Sequence, residues 1–452
     1  MKRPPLPLAL ACSVSLAFGC KEKTPTAEAT HPTGSAPAAS SAPAEPEPPK
    51  PPEIARPFNV ILLMIDSLRA DMPWAGYERD ILPHLTAYAK ESCTVYENGY
   101  SFSSYTAKSV VPALVGEYPS AMKRDGYFFT RYPDADNLFL SERAQKEGHR
   151  TLAGHAHGYF LPALGNNQGF DDYRLIPGGV DLRAVTSITS EPLTKLAIDM
   201  LSDEKNVKLP EGKRFFAYYH YMDPHHTYEK HKGHPDFGNK ARDIYDNEVH
   251  YTDKWVNELL TFARKQAWWK DTAVVITADH GEGFGERGQF RHAYELWEAV
   301  VKVPMVFCVP GAAPQHVRDV RRGHIDLAPT LADLMALPPE PPFRGESLVP
   351  EIFGLKKPEP KRIIVDLPRA DLMDRRRAVI ADDWKIVAFG DDRSFMLFNL
   401  KDDPWEKTDL AKDQPEKLEE MKKIYLEESA KIPNVEVVGG PPLKGAPPGR
   451  RW

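Results

Sequence analysis

Residues 272–286 read TAVVITADHGEGFGE. The first six are uncharged and rich in β-branched side chains, which predicts a strand buried on both faces over Thr272–Thr277. Asp279 and His280 stand just beyond it, and the closely spaced glycines that follow predict a loop. A carboxylate and an imidazole at a strand end can serve one cation together. Two other stretches have the same form. Asn59–Ile65 (NVILLMI) is a continuous apolar run that stops at Asp66, and Arg214–Tyr221 (RFFAYYHY) leads into a segment with histidines at 220, 225 and 226. Sites in open α/β sheets lie beyond the carboxyl ends of strands. These three distant segments are therefore expected on one edge. Read alone, Asp66 is equally a helix cap, Asp279 a turn former and His280 a surface residue.

Around these strands the pattern alternates. Helices are predicted over Pro83–Lys90, Ala107–Val115, Leu138–Glu147, Asp243–Phe262 and Ile325–Met335. Further strands are predicted over Cys93–Tyr96, Thr151–Ala156 and Val303–Val309. Such alternation predicts an α/β fold with a mostly parallel central sheet and helices on both faces. From about residue 360 the pattern changes. Lys361–Val365, Arg377–Ile380, Trp384–Phe389 and Arg393–Asn399 read as short strands with turns between them, and Pro415–Glu428 as a closing helix. That is a small C-terminal antiparallel sheet with a helix. The expected organisation is a signal over 1–20, a linker over 21–57, a body over 58–355, the antiparallel subdomain over 356–432 and an irregular tail over 433–452.

At the start, Lys2 and Arg3 precede a short apolar stretch, Leu6–Phe18, that ends at Gly19 and Cys20. It is too short for a stable bilayer span and looks like a bacterial lipoprotein signal, with Cys20 as the lipid-bearing residue. Residues 21–57 hold ten prolines and little that can form a core. They read as a disordered, extended linker that lifts the body off a membrane. The expected location is the cell envelope, lipid-anchored and periplasmic or surface facing. With 452 residues, 42% hydrophobic and 27% charged, the chain is globular and excludes a fibre or a multi-span membrane protein. A net charge of −6 argues against nucleic acid as a partner. Four cysteines exclude a disulfide-stapled scaffold and a Cys-rich metal site. Cys93 and Cys308, each in an apolar run, read as two buried thiols rather than a pair.

Several motifs occur in order: NVILLMIDSLRAD at 59–71, HYMDPH at 220–225, ITADHGEGFGERG at 276–288, HAYELWEAVVKVPMVF at 292–307 and HIDLAPTLADL at 324–334. Together they resemble the sulfatase branch of the alkaline phosphatase superfamily, and LFNLKDDPWEKTDLA at 397–411 resembles its C-terminal signature. The resemblance implies an alkaline phosphatase-like fold and a metal-dependent hydrolase of phosphate or sulfate esters. The chain departs from the family at the nucleophile. The common pattern is Cys or Ser, any residue, Pro, Ser or Ala, then Arg, with a Gly ten residues after the Cys. Counting back from Gly116 lands on Thr106, and Lys108 and Val110 stand where Pro and Arg would be. A threonine cannot become formylglycine. The segment instead resembles the Thr-Ala-x-Ser stretch of phosphoethanolamine transferases, in which threonine is the nucleophile. Ser67 likewise replaces the second of two aspartates that bind calcium in formylglycine sulfatases.

The resemblance implies one divalent cation held by Asp66, Thr106, Asp279 and His280. One imidazole, two carboxylates and an alkoxide suit zinc or manganese better than calcium. Thr106 is the expected nucleophile, at a helix start. Lys108 is the expected charge clamp in place of the missing arginine. His225 is expected at the bridging oxygen as general acid or donor, and His292, twelve residues past His280, at the non-bridging oxygens or the acceptor. Asp223 is expected to order its loop, and Glu282 and Glu286 to tune the metal loop. His220, His226, Asp71 and Lys302 stay outside the catalytic set. The expected substrate is a phosphate or sulfate ester, of a lipid or a glycan. Three readings compete: a hydrolase, a surface-anchored phospho-group transferase, and a non-catalytic envelope protein that keeps the fold. Transfer to an added alcohol in preference to water separates the first two. Failure to bind any dication marks the third.

Overall fold

The apolar run at 59–65 forms β1 (Asn59–Ile65), buried at all seven positions because sheet neighbours flank it on both sides. The computed structural model describes residue 54 and residues 57–125, 130–133, 136–177, 189–369, 374–435 and 437. Cys20 and the signal around it, nearly all of the linker and most of the tail lie outside these described residues. No helix among the described residues is long and apolar enough to cross a membrane.

In chain order the other strands of the main sheet are β2 (Thr94–Tyr100), β3 (Arg150–His155), β4 (Asp172–Leu175), β5 (Phe215–Tyr221), β6 (Thr272–Thr277), β7 (Lys302–Cys308), β8 (Gln315–Val317) and β9 (Arg322–Gly323). Their spatial order is β4–β3–β5–β1–β6–β7–β2–β8, with β9 beside β2. β5 and β6 pair with β1 in parallel, and β3 pairs in parallel with β4 and β5. Among the described strands of this main sheet only β7 runs against its neighbours, β6 and β2. The sheet is thus mixed but mostly parallel. Helix Ala241–Ala263 packs Tyr245, Val249, Thr252, Val256, Leu259, Leu260 and Ala263 inward, a stripe at the helical period.

Several elements depart from the sequence reading. The helix expected over Ala107–Val115 is a 3-10 turn, Thr106–Lys108, followed by an α-helix, Val110–Val115. Gly116 ends it in the left-handed region, φ 74°, where a side chain would be strained. β2 runs four residues past the expected Tyr96, through a register shift between Tyr96 and Gly99. A Cβ at Gly99 would meet the Val303 carbonyl oxygen at 2.5 Å, so only glycine lets β7 approach there. β4 and helix Ser190–Ser202 were not foreseen. β4 is half-buried at every position, so it carries no alternation.

The two buried thiols expected at 93 and 308 are instead a disulfide, with Cα atoms 4.0 Å apart. The physical reason is register. Thr94 faces Phe307 across the antiparallel β2–β7 pair, which brings the preceding Cys93 opposite Cys308. Peptide mapping of unreduced protein is expected to yield one peptide pair linked through Cys93 and Cys308, and alkylation of unreduced, denatured protein should leave both unlabelled. Recovery of alkylated Cys93 would refute the link.

The C-terminal meander is β10 (Ile363–Leu367), β11 (Arg376–Ala381), β12 (Trp384–Phe389) and β13 (Ser394–Asn399), all antiparallel. One face packs Val379, Ile386, Ala388 and Leu397 against Met421 and Tyr425 of helix Pro415–Ser429. The other packs Val365, Ile380, Val387 and Phe398 against Tyr100, Trp297, Val300 and Val301 of the body. A buried ionic cluster reinforces this second face. Lys385 Nζ on β12 lies 2.8 Å from both Glu298 Oε1 and Glu406 Oε1, and donates to the Leu296 carbonyl at 2.7 Å.

Candidate active site

The carboxyl ends of β5, β1 and β6 lie side by side, as the strand-end rule requires. Asp66 follows β1 directly, and its amide donates to the Tyr221 carbonyl at 2.8 Å. Ser67 then turns into the left-handed region at φ 59°. Non-glycine residues enter that region at a cost, which surrounding bonds must offset. Here the Ser67 amide donates to Asp279 Oδ1 at 3.2 Å and its hydroxyl to Asp66 Oδ1 at 2.8 Å. The Tyr245 hydroxyl donates to the Ser67 carbonyl at 2.9 Å. The serine in the position of the second aspartate thus ties the two remaining carboxylates together.

Asp66, Asp279 and His280 are fully buried and offer ligand atoms that all lie within 4.8 Å of one another. Their chemistry fits a cation. His280 Nδ1 lies 2.8 Å from the Gly281 carbonyl, which can only accept, so the ring proton sits there and Nε2 presents a lone pair. That Nε2 is 3.4 Å from Asp279 Oδ2 and 3.8 Å from Asp66 Oδ1. Asp279 Oδ2 has no hydrogen-bond partner among the described residues. Burial lowers the proton affinity of His280 and keeps the ring neutral. Burial, and then Asp279, push the Asp66 carboxyl up to about 7. Burial also opposes charge on Asp279, but His280, His220 and Thr106 outweigh it and hold that carboxyl low. Two carboxylates this close in a dry site repel, and a dication relieves the repulsion.

Thr106 completes the cluster. It is 1% exposed, and its Oγ1 lies 3.1 Å from His280 Nε2 and 3.3 Å from Asp66 Oδ2. The neighbouring hydroxyls behave differently. Ser103 Oγ accepts from the Tyr105 amide at 3.1 Å and meets Ser109 Oγ at 3.2 Å, so it is spent inside its own loop. Ser104 Oγ is buried with no hydrogen-bond partner among the described residues. Lys108 is buried, which excludes a solvated surface lysine, and its Nζ sits 5.2 Å from the centre of the Tyr105 ring.

A row of imidazoles leads outward. The His292 ring is 4.2 Å from that of His280, and the His225 ring is 5.0 Å from that of His292. His292 is presented between two left-handed residues, Arg291 at φ 66° and Ala293 at φ 83°. Its Nδ1 donates to the Glu282 carboxylate at 3.2 and 3.3 Å, which leaves Nε2 bare. The Tyr228 hydroxyl donates to the same buried carboxylate at 2.7 Å. Burial, followed by the proximity of His225, takes His292 down to about 3. His225 Nδ1 donates to the His226 carbonyl at 2.6 Å, and burial lowers its proton affinity too.

Two histidines outside the expected set stand here as well. His157, just past β3, accepts the Tyr159 amide on Nδ1 at 3.1 Å, so its neutral ring carries a proton on Nε2. Its ring is 6.5 Å from that of His225. The strand-end rule that nominated Asp66 applies equally to β3 and would have found it. His220 Nε2 faces the carboxylates, 3.7 Å from Asp279 Oδ2 and 3.9 Å from Asp66 Oδ2.

Asp223 accepts from the amides of Thr189 and Ser190 and anchors the start of helix Ser190–Ser202. Asp71 and Glu286 both pair with buried Arg69, at 2.7 and 2.8 Å. Lys302 is half-buried on β7, and burial lowers its proton affinity.

Comparison with known proteins gives the following. The sulfatase family model matches residues 58–337, and that of the N-sulphoglucosamine sulphohydrolase C-terminal region matches 285–431. The choline-sulfatase of Rhizobium meliloti is 31% identical over 176 residues, 38% of this chain and 33% of that protein. The match thus spans about a third of the length of that relative. Among solved structures, a 2-O GAG sulfatase superposes with a TM-score of 0.71 at 18% identity, covering 87% of this chain and 97% of its own. The phosphonate monoester hydrolase of Agrobacterium radiobacter superposes with 0.69 at 16% identity, covering 83% and 96%. At those identities the likeness is one of fold.

Proposed function

Because the chain belongs to the sulfatase family, with the family model spanning residues 58–337, we propose that it hydrolyses phosphate or sulfate esters with Thr106 as nucleophile. The observation that carries this reading is the Thr106 hydroxyl, 3.1 Å from His280 Nε2 and 3.3 Å from Asp66 Oδ2, inside the Asp66–Asp279–His280 cluster. Those three residues would hold one divalent cation, zinc or manganese in preference to calcium given the imidazole and the small ligand number. Such a cation lowers the pKa of an adjoining hydroxyl and offsets charge on the ester oxygens.

The chain's own groups do the rest. Thr106 Oγ1, its proton released to solvent, attacks phosphorus or sulfur as the bond to the leaving oxygen breaks. His225, once it has taken a proton beside the anionic ester, protonates the leaving oxygen. His157 Nε2–H donates to the transferred group, bare His292 Nε2 accepts a hydrogen bond from the acceptor water, and buried Lys108 adds positive charge. Water then attacks the modified threonine, releasing phosphate or sulfate and restoring the hydroxyl. Threonine favours phosphorus over sulfur, because it reproduces the nucleophile of the phosphoethanolamine transferases and not formylglycine. The signal read at 1–20 supports a location at the bacterial envelope, with Cys20 as the tether. Intact-mass analysis showing a chain that starts at Cys20 with acyl mass checks that placement.

The test is a panel of aryl phosphates, phosphate diesters, phosphonates and sulfates assayed with and without chelator. Activity on at least one class is expected, abolished by chelation and restored by zinc or manganese. Asp279→Asn should lose most bound metal yet unfold like the native chain, since the sheet is held by apolar strands. Chelator-insensitive activity, or full metal content in Asp279→Asn, would refute the reading. Added alcohol that captures the group ahead of water would instead establish a transferase.

Glu282 orients His292 through the paired contacts described above. Glu282→Gln keeps the shape but removes the charge that holds the Nδ1 proton. A loss of roughly 10–100-fold in turnover is expected, with an unchanged denaturation midpoint. Native turnover in steady-state assays would show that His292 needs no such support.

A further inference from the structure

We infer that the cavity at the seam between the body and the C-terminal meander is a binding site for a polyol of sugar size, whose hydroxyls donate to His324 and Asp326. The inference is independent of the ester chemistry proposed above. The cavity holds about 340 Å³, within the range of small-molecule sites. Buried Phe102, Gly323, His324 and Asp326 line it from the body, and Ile363 and Ile364 from the start of β10. His324 is 1% exposed. Its Nε2 lies 2.8 Å from Thr277 Oγ1, and that hydroxyl gives its own proton to the Pro304 carbonyl at 2.7 Å. Thr277 must therefore accept from Nε2–H, which leaves a lone pair on Nδ1 of the neutral ring. Burial takes His324 down to about 4 against the pull of Asp279, so the ring is neutral near pH 7. Nδ1 is buried with no hydrogen-bond partner among the described residues. Buried polar groups are nearly always satisfied, so this acceptor calls for a donor.

A second acceptor stands on the same 3-10 turn, His324–Asp326. Asp326 Oδ1 accepts from the Glu346 amide at 2.9 Å. Its Oδ2 is 3.9 Å from Lys361 Nζ, too far for a hydrogen bond. Two acceptors on one turn suit a ligand with two neighbouring donors. The charges at the rim narrow the choice. Arg344 pairs with Glu117, Lys361 with Glu346, and both Arg362 and Lys431 with Glu428. The rim cations are thus already met by carboxylates and do not select an anion. Lys361 beside Asp326 disfavours a second ammonium there. A neutral molecule with adjacent hydroxyls satisfies both conditions. Phe102 and Tyr118, edge to face with ring centres 5.6 Å apart, and the two isoleucines offer apolar surface to its C–H face.

The competing occupant is an ordered water on His324 Nδ1. Saturation-transfer difference NMR with glucose, galactose, mannose and glycerol separates the two. Transfer to at least one sugar is expected in the native chain, at the millimolar affinity usual for so small a ligand. Asp326→Asn keeps the contact with the Glu346 amide but turns the second acceptor into a donor, and should weaken binding roughly 10-fold. Gly323→Val narrows the cavity. The nearest atoms to a Cβ there belong to Ile325 and Ile363, at 3.8–3.9 Å, so the strand tolerates the side chain, and transfer should vanish. Thermal midpoints of both variants check that the fold is kept. No transfer from any probe overturns the inference, as does native affinity in Asp326→Asn, which would put the sugar elsewhere on the molecule. A crystal soaked in sugar that shows only water on His324 Nδ1 overturns it too. If Gly323→Val fails to fold, Asp326→Asn decides alone.

Discussion

Thr106→Ala is expected to lose roughly 10²–10⁴-fold in turnover, the range for loss of one positioned catalytic group, while folding as the native chain does. The substitution deletes one buried hydroxyl whose partners are His280 Nε2 and Asp66 Oδ2. It buries no new polar group and creates no sizeable cavity, so the apolar strands around it are undisturbed. Asp66, Asp279 and His280 remain in place, and metal content should persist at reduced affinity. Thr106→Ser keeps the oxygen and should retain part of the activity. The loss in Thr106→Ala does not by itself identify the attacking atom, because Ser103 and Ser104 are buried nearby. Ser103 is committed to Tyr105 and Ser109, which leaves Ser104 as the rival. Peptide mapping of acid-quenched enzyme after brief exposure to an activated ester should find the phosphoryl or sulfuryl group on Thr106. The group on Ser104, or near-native turnover in Thr106→Ala, would overturn the mechanism. Thr106→Cys should gain no formylglycine, since Lys108 and Val110 stand where the maturation sequence has Pro and Arg.

The part of the site that could be read from the chain was the part tied to strand ends. Apolar runs at 59–65 and 272–277 locate β1 and β6 within a residue, and the polar residues after them meet because parallel neighbours end on the same edge. Asp66, Asp279 and His280 follow from that rule and from the motifs together. His220, the first residue of the HYMDPH motif, was kept outside the catalytic set, and its approach to the carboxylates depends on the β1–β5 register. Register also decided the disulfide: the pairing of Thr94 with Phe307 brings together Cys93 and Cys308, 215 residues apart, which no local pattern encodes. The segment expected as one helix divides into a 3-10 turn, Thr106–Lys108, and a short α-helix, Val110–Val115. The C-terminal meander was legible because its strands are short, local and separated by turn residues.

That meander is latched to the body by charge as well as by apolar contact, and Lys385→Met is expected to cost about 3–5 kcal/mol of stability near neutral pH, as loss of one partner in a buried ion pair does. Lys385 is fully buried, and its ammonium sits between Glu298 and Glu406 at 2.8 Å from each. Burial opposes its charge, but the two carboxylates outweigh burial and raise its proton affinity. Burial raises Glu298 and Glu406 alike. Lys385 outweighs burial at Glu298, which is held low, while Glu406 stays raised. Methionine nearly matches the lysine volume, so the cost is electrostatic and not a cavity. It leaves two carboxyl groups buried together with only the more distant Lys302 acting on Glu298, and both folded-state pKa values then rise. A carboxyl whose folded pKa is raised favours the folded state below its unfolded pKa, and that advantage is lost as pH climbs toward the folded value. The deficit of Lys385→Met relative to the native chain should therefore be smallest near pH 4 and grow through pH 7. Adding Glu298→Gln and Glu406→Gln should recover much of the loss, since the uncompensated charge is gone and only amides remain to be satisfied by Tyr100 and the Glu298 amide. Urea titrations of the three proteins at pH 4.5 and 7.5 give the comparison. A deficit that is flat with pH would mean that Lys385 acts through packing, and no deficit at all would mean that the apolar face carries the attachment alone.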